Sequence, residues 1–359
     1  MKKRVVLAMS GGVDSSVAAY LLKKRGYSVI GVTFKVWPKS FCKEAGPKSC
    51  CSFESISDAR STCDQLNIPH YVINCEKLFK DKVIDTFIKS YKNGLTPNPC
   101  VICNERVKFP VLMNKAGETG SNFIATGHYA KSTYSRRCKR YFIKEARDKN
   151  KDQSYVLFSL TQDILSKLIL PVGDFSKQKI VSIAKRLKLK SYHRKESQEI
   201  CFIPDDDLNK FLSEHLSNKI KRGSIKTKEG KVLGEHQGTC FYTIGQRKGL
   251  RISYGKPIYV IDIDHKNGDI IIGSHNDTLK KVVTANDTSW NESVKKGQLL
   301  KGVMAKIRYK HPKAKAEVAI LTSKTAEVNF LKAQSSPTPG QAVVFYRRDA
   351  VLGGGWITR

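Results

Sequence analysis

Residues 5–16 read VVLAMSGGVDSS and run directly into VAAYLLKKRG. The apolar start reads as a core strand, and the helical pattern from Ser15 to Arg25 follows two adjacent glycines and a pair of serines. A glycine-rich turn between a strand and a helix aims several backbone N–H groups at one point, where the helix dipole also favours negative charge. The stretch is therefore an anion cradle. It lacks the lysine of the G-x-x-x-x-G-K-[ST] phosphate loop. The alternative is an ordinary strand-to-helix turn with a serine cap.

Outward from this loop, short β-branched runs alternate with helical patterns. SVIGVTFKVW leads to SISDARSTCDQLN, HYVINC leads to LFKDKVIDTFIKSYKNG, and NFIATGHYA adds a fourth strand. Such alternation implies a parallel sheet covered on both faces, a doubly wound α/β domain. After a helix expected over residues 205–220, the pattern turns to β. CFYTIGQ, IYVIDIDHKNGDIIIGS, LLKGVMAKIRY, AEVAIL, AEVNFL and QAVVFY are short alternating runs, with Asn267-Gly268 as a hairpin turn. The expected division is 1–205 for the α/β domain, 206–280 for a small, mostly β linking domain, and 281–359 for a C-terminal β-barrel.

The chain has 359 residues, 40% of them hydrophobic, which is enough for two or three cored domains. Lys and Arg total 64 against 32 Asp and Glu, a net charge of +32 spread along the sequence. A polyanion such as nucleic acid is the expected partner; the alternative is a lysine-rich surface that serves solubility. The apolar run after the basic start is too short for a signal peptide, and no stretch approaches the ~20 apolar residues of a membrane span. A cytoplasmic protein, or one of an organelle matrix if a longer precursor is trimmed, with no membrane partner is expected. Ten cysteines without a secretion signal argue for reduced thiols rather than a disulfide scaffold.

SGGVDSS resembles the S-G-G-x-D-S signature of the N-type ATP pyrophosphatases, the PP-loop superfamily. There the loop grips the β and γ phosphates as departing pyrophosphate while chemistry occurs at the α phosphate, so no γ-phosphate lysine is required. In this reading Gly11 and Gly12 permit close approach, Ser10, Ser15 and Ser16 add hydroxyls, and Asp14 orients Mg²⁺ or caps the helix. Cys100 and Cys103 in TPNPCVICNERVKF stand at the head of an expected helix, whose N-terminus lowers a thiol pKa. Half a zinc site or two core cysteines are the plain alternatives. Cys201 in SQEICFIP is a third thiol.

SGGVDSS, NPCVICNERVKF, ATGHYAK, KDQSYVLF, SQEICFIP, YTIGQRKGL and KIRY occur in the order found in the tRNA-specific 2-thiouridylases, which the whole chain resembles. The resemblance implies ATP- and Mg²⁺-dependent replacement of the C2 oxygen of the wobble uridine by sulfur, with the anticodon loop of tRNA and a persulfide donor or relay protein as partners. It makes Cys201 the persulfide carrier and Cys103 the second catalytic cysteine. It assigns Ala8, Met9, Ser10, Gly11, Gly12, Val13, Asp14, Ser15, Phe34 and Gly127 to ATP. For tRNA it assigns Asn98, Pro99, Cys100, His128, Lys151, Asp152, Gln153, Arg308, Tyr309 and Gln341. Many members carry Asp at Cys100. The trio Cys100, Cys103 and Cys201 thus also resembles the ligand set of [4Fe–4S]-dependent thiolases, and a cluster mechanism stands beside the persulfide one. An amide ligase of the same superfamily, or a non-catalytic RNA-binding or zinc-holding protein, is the rival function. Cys42, Cys50 and Cys51 match no standard zinc spacing.

Overall fold

The computed structural model describes residues 2–36, 53–193, 200–216, 220, 222–264 and 267–358. Cys42, Cys50, Cys51 and residues 197–199 of SQEICFIP lie outside them. The chain divides into two compact units, Met1–Ile84 with Pro99–Asp206 and Asp349–Val351, and Asp85–Asn98 with Asp207–Arg348 and Leu352–Arg359.

In the first unit, β1 (Arg4–Ala8) is followed by α1 (Val13–Lys24), β2 (Ser28–Lys35), α2 (Phe53–Gln65), β3 (His70–Asn74) and α3 (Glu76–Phe79). Next come α4 (Asp85–Lys92), which belongs to the second unit, then α5 (Pro99–Cys103), α6 (Phe109–Glu118) and β4 (Phe123–Ala125). A hairpin of β5 (Ala130–Ser135) and β6 (Arg140–Glu145), then α7 (Gln162–Lys167), β7 (Leu168–Ile169) and α8 (Lys177–Arg186) complete it. The sheet order is β3-β2-β1-β4-β7, and every neighbouring pair is parallel.

Alternation buries both faces of β1. Val5 and Leu7 join a core with Val17, Leu21 and Leu22 of α1, Ala59 and Cys63 of α2, and Ile180 and Ile183 of α8. Val6, with no exposed surface, faces the other way. The chain runs from β1 outward to β3 and then returns to the other side of β1 as β4. The β1/β4 boundary is therefore a topological switch point, and a ligand crevice is expected beyond the carboxyl ends of these strands.

In the second unit, α9 (Leu208–Leu216) starts where Asp207 Oδ1 accepts from Lys210 N, 2.9 Å. It begins three residues later than the sequence suggests because Asp205 and Asp206 take φ of 52° and 60°, outside the helical region. Phe211 packs edge-on against Phe87 of α4, 6.2 Å between ring centres. A four-stranded sheet follows, with β8 (Gly223–Thr227), β9 (Val232–His236), β10 (Tyr259–Asp264) and β11 (Asp269–Gly273) in the order β10-β11-β8-β9. Asn267-Gly268 makes the expected turn between β10 and β11, with Gly268 at φ +80°. CFYTIGQ is not a strand: Thr239–Phe241 forms a 3₁₀ turn. Gly245 then takes φ +87° with a Cβ-sized space filled by Ser336.

The barrel consists of β12 (Leu279–Trp290), β13 (Leu299–Lys306), β14 (Ala314–Ile320), β15 (Thr325–Ser335), β16 (Ala342–Arg347) and β17 (Ala350–Ile357). Their order is β12-β15-β14-β13-β16-β17, and β12 pairs back onto β17 through Ala285↔Ile357 and Asn286↔Trp356. Closure removes the open edges. Val318, Val328, Phe330, Val343 and Phe345 fill the interior.

Candidate active site

Beyond the ends of β1, β2 and β4 lies a cleft of about 260 Å³. One wall is Ala8, Met9, Ser10, Asp14 and Ser15; another is Thr33, Phe34 and Val36 at the end of β2; a third is Thr126, Gly127 and His128 after β4. Cys103, Val107, Lys108, Gln153 and Cys201 complete the lining.

The loop is tied to the first turn of α1. Ser10 N–H donates to Ser15 Oγ at 3.2 Å, Ser15 Oγ donates to the Gly12 carbonyl at 3.0 Å, and Gly12 N–H donates to Ser10 Oγ at 3.4 Å. Gly11 adopts φ +73°, and a Cβ there would run into the Ser55 carbonyl. Both facts demand glycine. Gly127 is constrained from a different side, because an added Cβ would stand 2.9 Å from Ser15 N and 3.0 Å from Asp14 C. Its bare backbone lets the end of β4 approach the N-terminus of α1.

Asp14 does not cap α1; Gly12 occupies that position without a side-chain cap. Instead its carboxylate takes Lys177 Nζ at 2.7 and 2.8 Å and the Tyr129 hydroxyl at 2.7 Å. Lys177 is the first residue of α8 and stands 163 residues from Asp14 in the chain. Sequence reasoning missed both Lys177 and Tyr129, since no local spacing signals either. Mg²⁺ travelling with ATP is held mainly by phosphate oxygens and one or two carboxylates. Asp14 is the carboxylate in this lining among the described residues.

His128 bonds through Nδ1 to Thr126 Oγ1 at 2.7 Å and stacks on Phe109, 6.1 Å between ring centres. Thr126 Oγ1 also accepts from the His128 backbone N–H at 3.3 Å, so one hydroxyl fixes both the ring and the backbone of this residue. Burial, with the Lys108 charge adding, holds the imidazole pKa well below its ordinary value. The ring is neutral at physiological pH.

Of the two thiols expected to be catalytic, Cys103 ends α5 and Cys201 enters from a turn, and both line the cleft. Cys63 and Cys75 are different: burial pushes their pKa up to about 12 and about 11, leaving them inert. Cys240 is buried with its pKa raised by the same cause. Cys100 is exposed and is not in the lining. Among the described residues no group of three or more His, Cys, Asp or Glu could hold a metal ion. The donor set of a [4Fe–4S] cluster is therefore not assembled from Cys100, Cys103 and Cys201.

Other expected tRNA residues fall in both units. In the first, Asp152 is buried, and accepts from Ala146 N at 2.8 Å and Ser154 Oγ at 2.7 Å. Its carboxylate shapes the KDQ turn rather than facing solvent. Gln153 Oε1 accepts from Tyr129 N at 2.9 Å, fixing that turn to the segment that carries His128. Lys151 lies half-buried beside them, and Pro99 opens α5. In the second unit, Gln341 Nε2 donates to the Thr96 and Pro97 carbonyls at 2.9 and 3.3 Å, bracing the loop that leads to Asn98. Arg308 and Tyr309 follow β13, with Lys306 Nζ 5.6 Å from the tyrosine ring centre.

Three family profiles match in succession: a tRNA methyl transferase HUP domain over residues 3–205, a tRNA methyl transferase PRC-barrel domain over 209–274, and an aminomethyltransferase β-barrel domain over 280–357. A tRNA-specific 2-thiouridylase MnmA 2 of Thermoanaerobacter sp. strain X514 is 44% identical over 360 residues, covering 100% of this chain and 99% of that one. The chain belongs to the tRNA-specific 2-thiouridylase family. MnmA of Clostridium beijerinckii is 44% identical over 99% of both chains, and MnmA 1 of Clostridium botulinum strain Hall is 43% identical over 100% of both. The methyl transferase wording of the profiles disagrees with these names. The full-length relatives carry more weight, because two thiols beside an anion cradle suit sulfur chemistry.

Proposed function

We propose a division of labour for the ATP-dependent 2-thiolation that this chain performs on the wobble uridine of tRNA. The triphosphate lies against Ser10–Ser15 with Phe34 on the adenine; Mg²⁺ bound with it would be held near Asp14 and would neutralise phosphate charge. The uridine O2 attacks the α phosphate and pyrophosphate leaves, turning a poor leaving group into AMP. A persulfide on Cys201 then attacks C2 through its terminal sulfur and expels AMP. Cys103 thiolate attacks Cys201 Sγ, the S–S bond breaks with its electron pair going to the transferred sulfur, and 2-thiouridine leaves beside a Cys103–Cys201 disulfide. An external reductant and a persulfide donor reset the pair.

One observation carries this reading: Cys103 and Cys201 line the same cleft as the anion-binding loop. The persulfide route is preferred to a cluster because Cys100 stands outside the lining. Neutral His128, held through Nδ1 by Thr126, keeps Nε2 as its second polar atom for a hydrogen bond to the base or its leaving oxygen. Asn98, Pro99, Cys100, Lys151, Gln153, Arg308 and Tyr309 are the tRNA-facing set, with Asp152 and Gln341 acting through the loops they brace. Residues 1–205 supply the chemistry, and 206–280 with 281–359 grip the RNA.

Cys103→Ser and Cys201→Ser should each abolish 2-thiouridine formation while pyrophosphate release on tRNA addition continues. An amide ligase would keep its full activity in both variants, and that outcome would overturn the reading.

A further inference from the structure

The helical run after Cys103 is not regular. Asn104–Lys108 is π-helical, closed by Phe109 N–H bonding to the Asn104 carbonyl in the i→i+5 pattern. In an α-helix a residue five positions on lies about 140° around the axis. In a π turn it stands about one turn up on the same side. The extra residue thus brings Lys108 onto the face of Cys103, and both side chains line the cleft. Single π turns inside α-helices concentrate at functional sites because they re-aim side chains at a cost in packing.

The surroundings leave this cation a specific partner. Lys177 is committed to Asp14. On the same turn, Glu105 pairs with Arg106 at 3.5 Å. Among the described residues the remaining titratable groups of the lining are His128, which is neutral, and the thiols of Cys103 and Cys201. Lys108 makes no ion pair or side-chain hydrogen bond with the described residues.

We infer that Lys108 is a further catalytic residue of the sulfur transfer, set by the π turn to hold the Cys103 sulfur as a thiolate. The inference rests on the reading of Cys103 as the resolving nucleophile. Lys108 supplies its charge when the Cys103 proton leaves to solvent, and keeps that sulfur anionic until it attacks the Cys201 persulfide. It stands outside the assigned ATP and tRNA sets.

Peptide-resolved alkylation with iodoacetamide across pH 5.5–9.5, on full-length protein without ATP or tRNA, tests this directly. Wild-type Cys103 should titrate below the ordinary thiol value near 8.5. Lys108→Met should raise the midpoint by about one pH unit or more, slowing alkylation at pH 7 about tenfold. Lys108→Arg should restore most of the wild-type profile, which a packing role would not do. Thermal unfolding of each variant checks that the fold is kept. An ordinary Cys103 midpoint in the wild type, or an unmoved one in Lys108→Met, overturns the inference. So does a loss confined to ATP affinity, which would assign the cation to phosphate. Failure of the underlying reading would show elsewhere, as undiminished 2-thiouridine formation by Cys103→Ser.

Discussion

Gly127→Ala is a one-methyl probe of whether the end of β4 and the start of α1 must meet closely for the cleft to work. The added Cβ would stand 2.9 Å from Ser15 N, 3.0 Å from Asp14 C and 3.1 Å from Ser15 Cα, against 3.4–4 Å for ordinary contact. All three are backbone atoms of α1, so no side chain can swing aside. The loop or the strand end must retreat by about 0.5 Å, at an overpacking cost of about 1–3 kcal/mol. A misplacement of about 1 Å can cost a hundredfold in rate, so half of it costs about tenfold. The assay is pyrophosphate release under saturating tRNA, with ATP affinity and tRNA affinity measured in parallel. Release should fall about tenfold with tRNA binding kept. Gly117→Ala in α6 is the control: a Cβ there meets nothing within 4 Å, and the change should stabilise the helix by about 0.5–1 kcal/mol without touching activity. Wild-type release and ATP affinity in Gly127→Ala would refute the argument.

Asp14→Ala should abolish pyrophosphate release with tRNA affinity nearly intact. Lys177→Met should impair the same step, because it strips the carboxylate of its two short contacts; normal release in either variant would remove this pair from the adenylation machinery. Affinity for tRNA should fall by about 0.7–0.9 log units per log unit of salt for each phosphate contact, and a flat salt dependence would detach the +32 charge from RNA binding. His128 resists protonation when folded while an unfolded imidazole takes its proton near pH 6.5, so the unfolded state binds more protons in acid. Stability present at pH 7.5 should therefore decline below about pH 6.5, with His70, His236 and His311 acting in the same direction. His128→Gln should flatten the decline by up to about 1.4 kcal/mol per pH unit, read from urea midpoints, and an unchanged slope would contradict the burial argument.

Features legible in the sequence were those decided locally. The β1–loop–α1 unit was readable because glycines and serines at fixed offsets leave one backbone path, and Asn267-Gly268 marked its turn for the same reason. The ion pair of Asp14 with Lys177 was not readable, since packing of α8 against α1 brings the two residues together. CFYTIGQ has the composition of a strand, but Gly245 at φ +87° breaks it. VLGGGWI, which became β17, hid its strand behind three glycines. They are small because β12 crosses closely: a Cβ at Gly355 would stand 2.9 Å from the Asn286 carbonyl. Cys100, Cys103 and Cys201 looked like one set by residue type, whereas the fold brings Cys103 and Cys201 to the cleft and leaves Cys100 exposed outside its lining.

The most direct measurement is nucleoside analysis of tRNA from cells lacking this chain, then supplied with the wild type or with Cys201→Ser. The account predicts that 2-thiouridine at the wobble position disappears, returns with the wild type, and stays absent with Cys201→Ser. Wobble 2-thiouridine persisting in the deletion strain without a paralogue, or restored by Cys201→Ser, would contradict it.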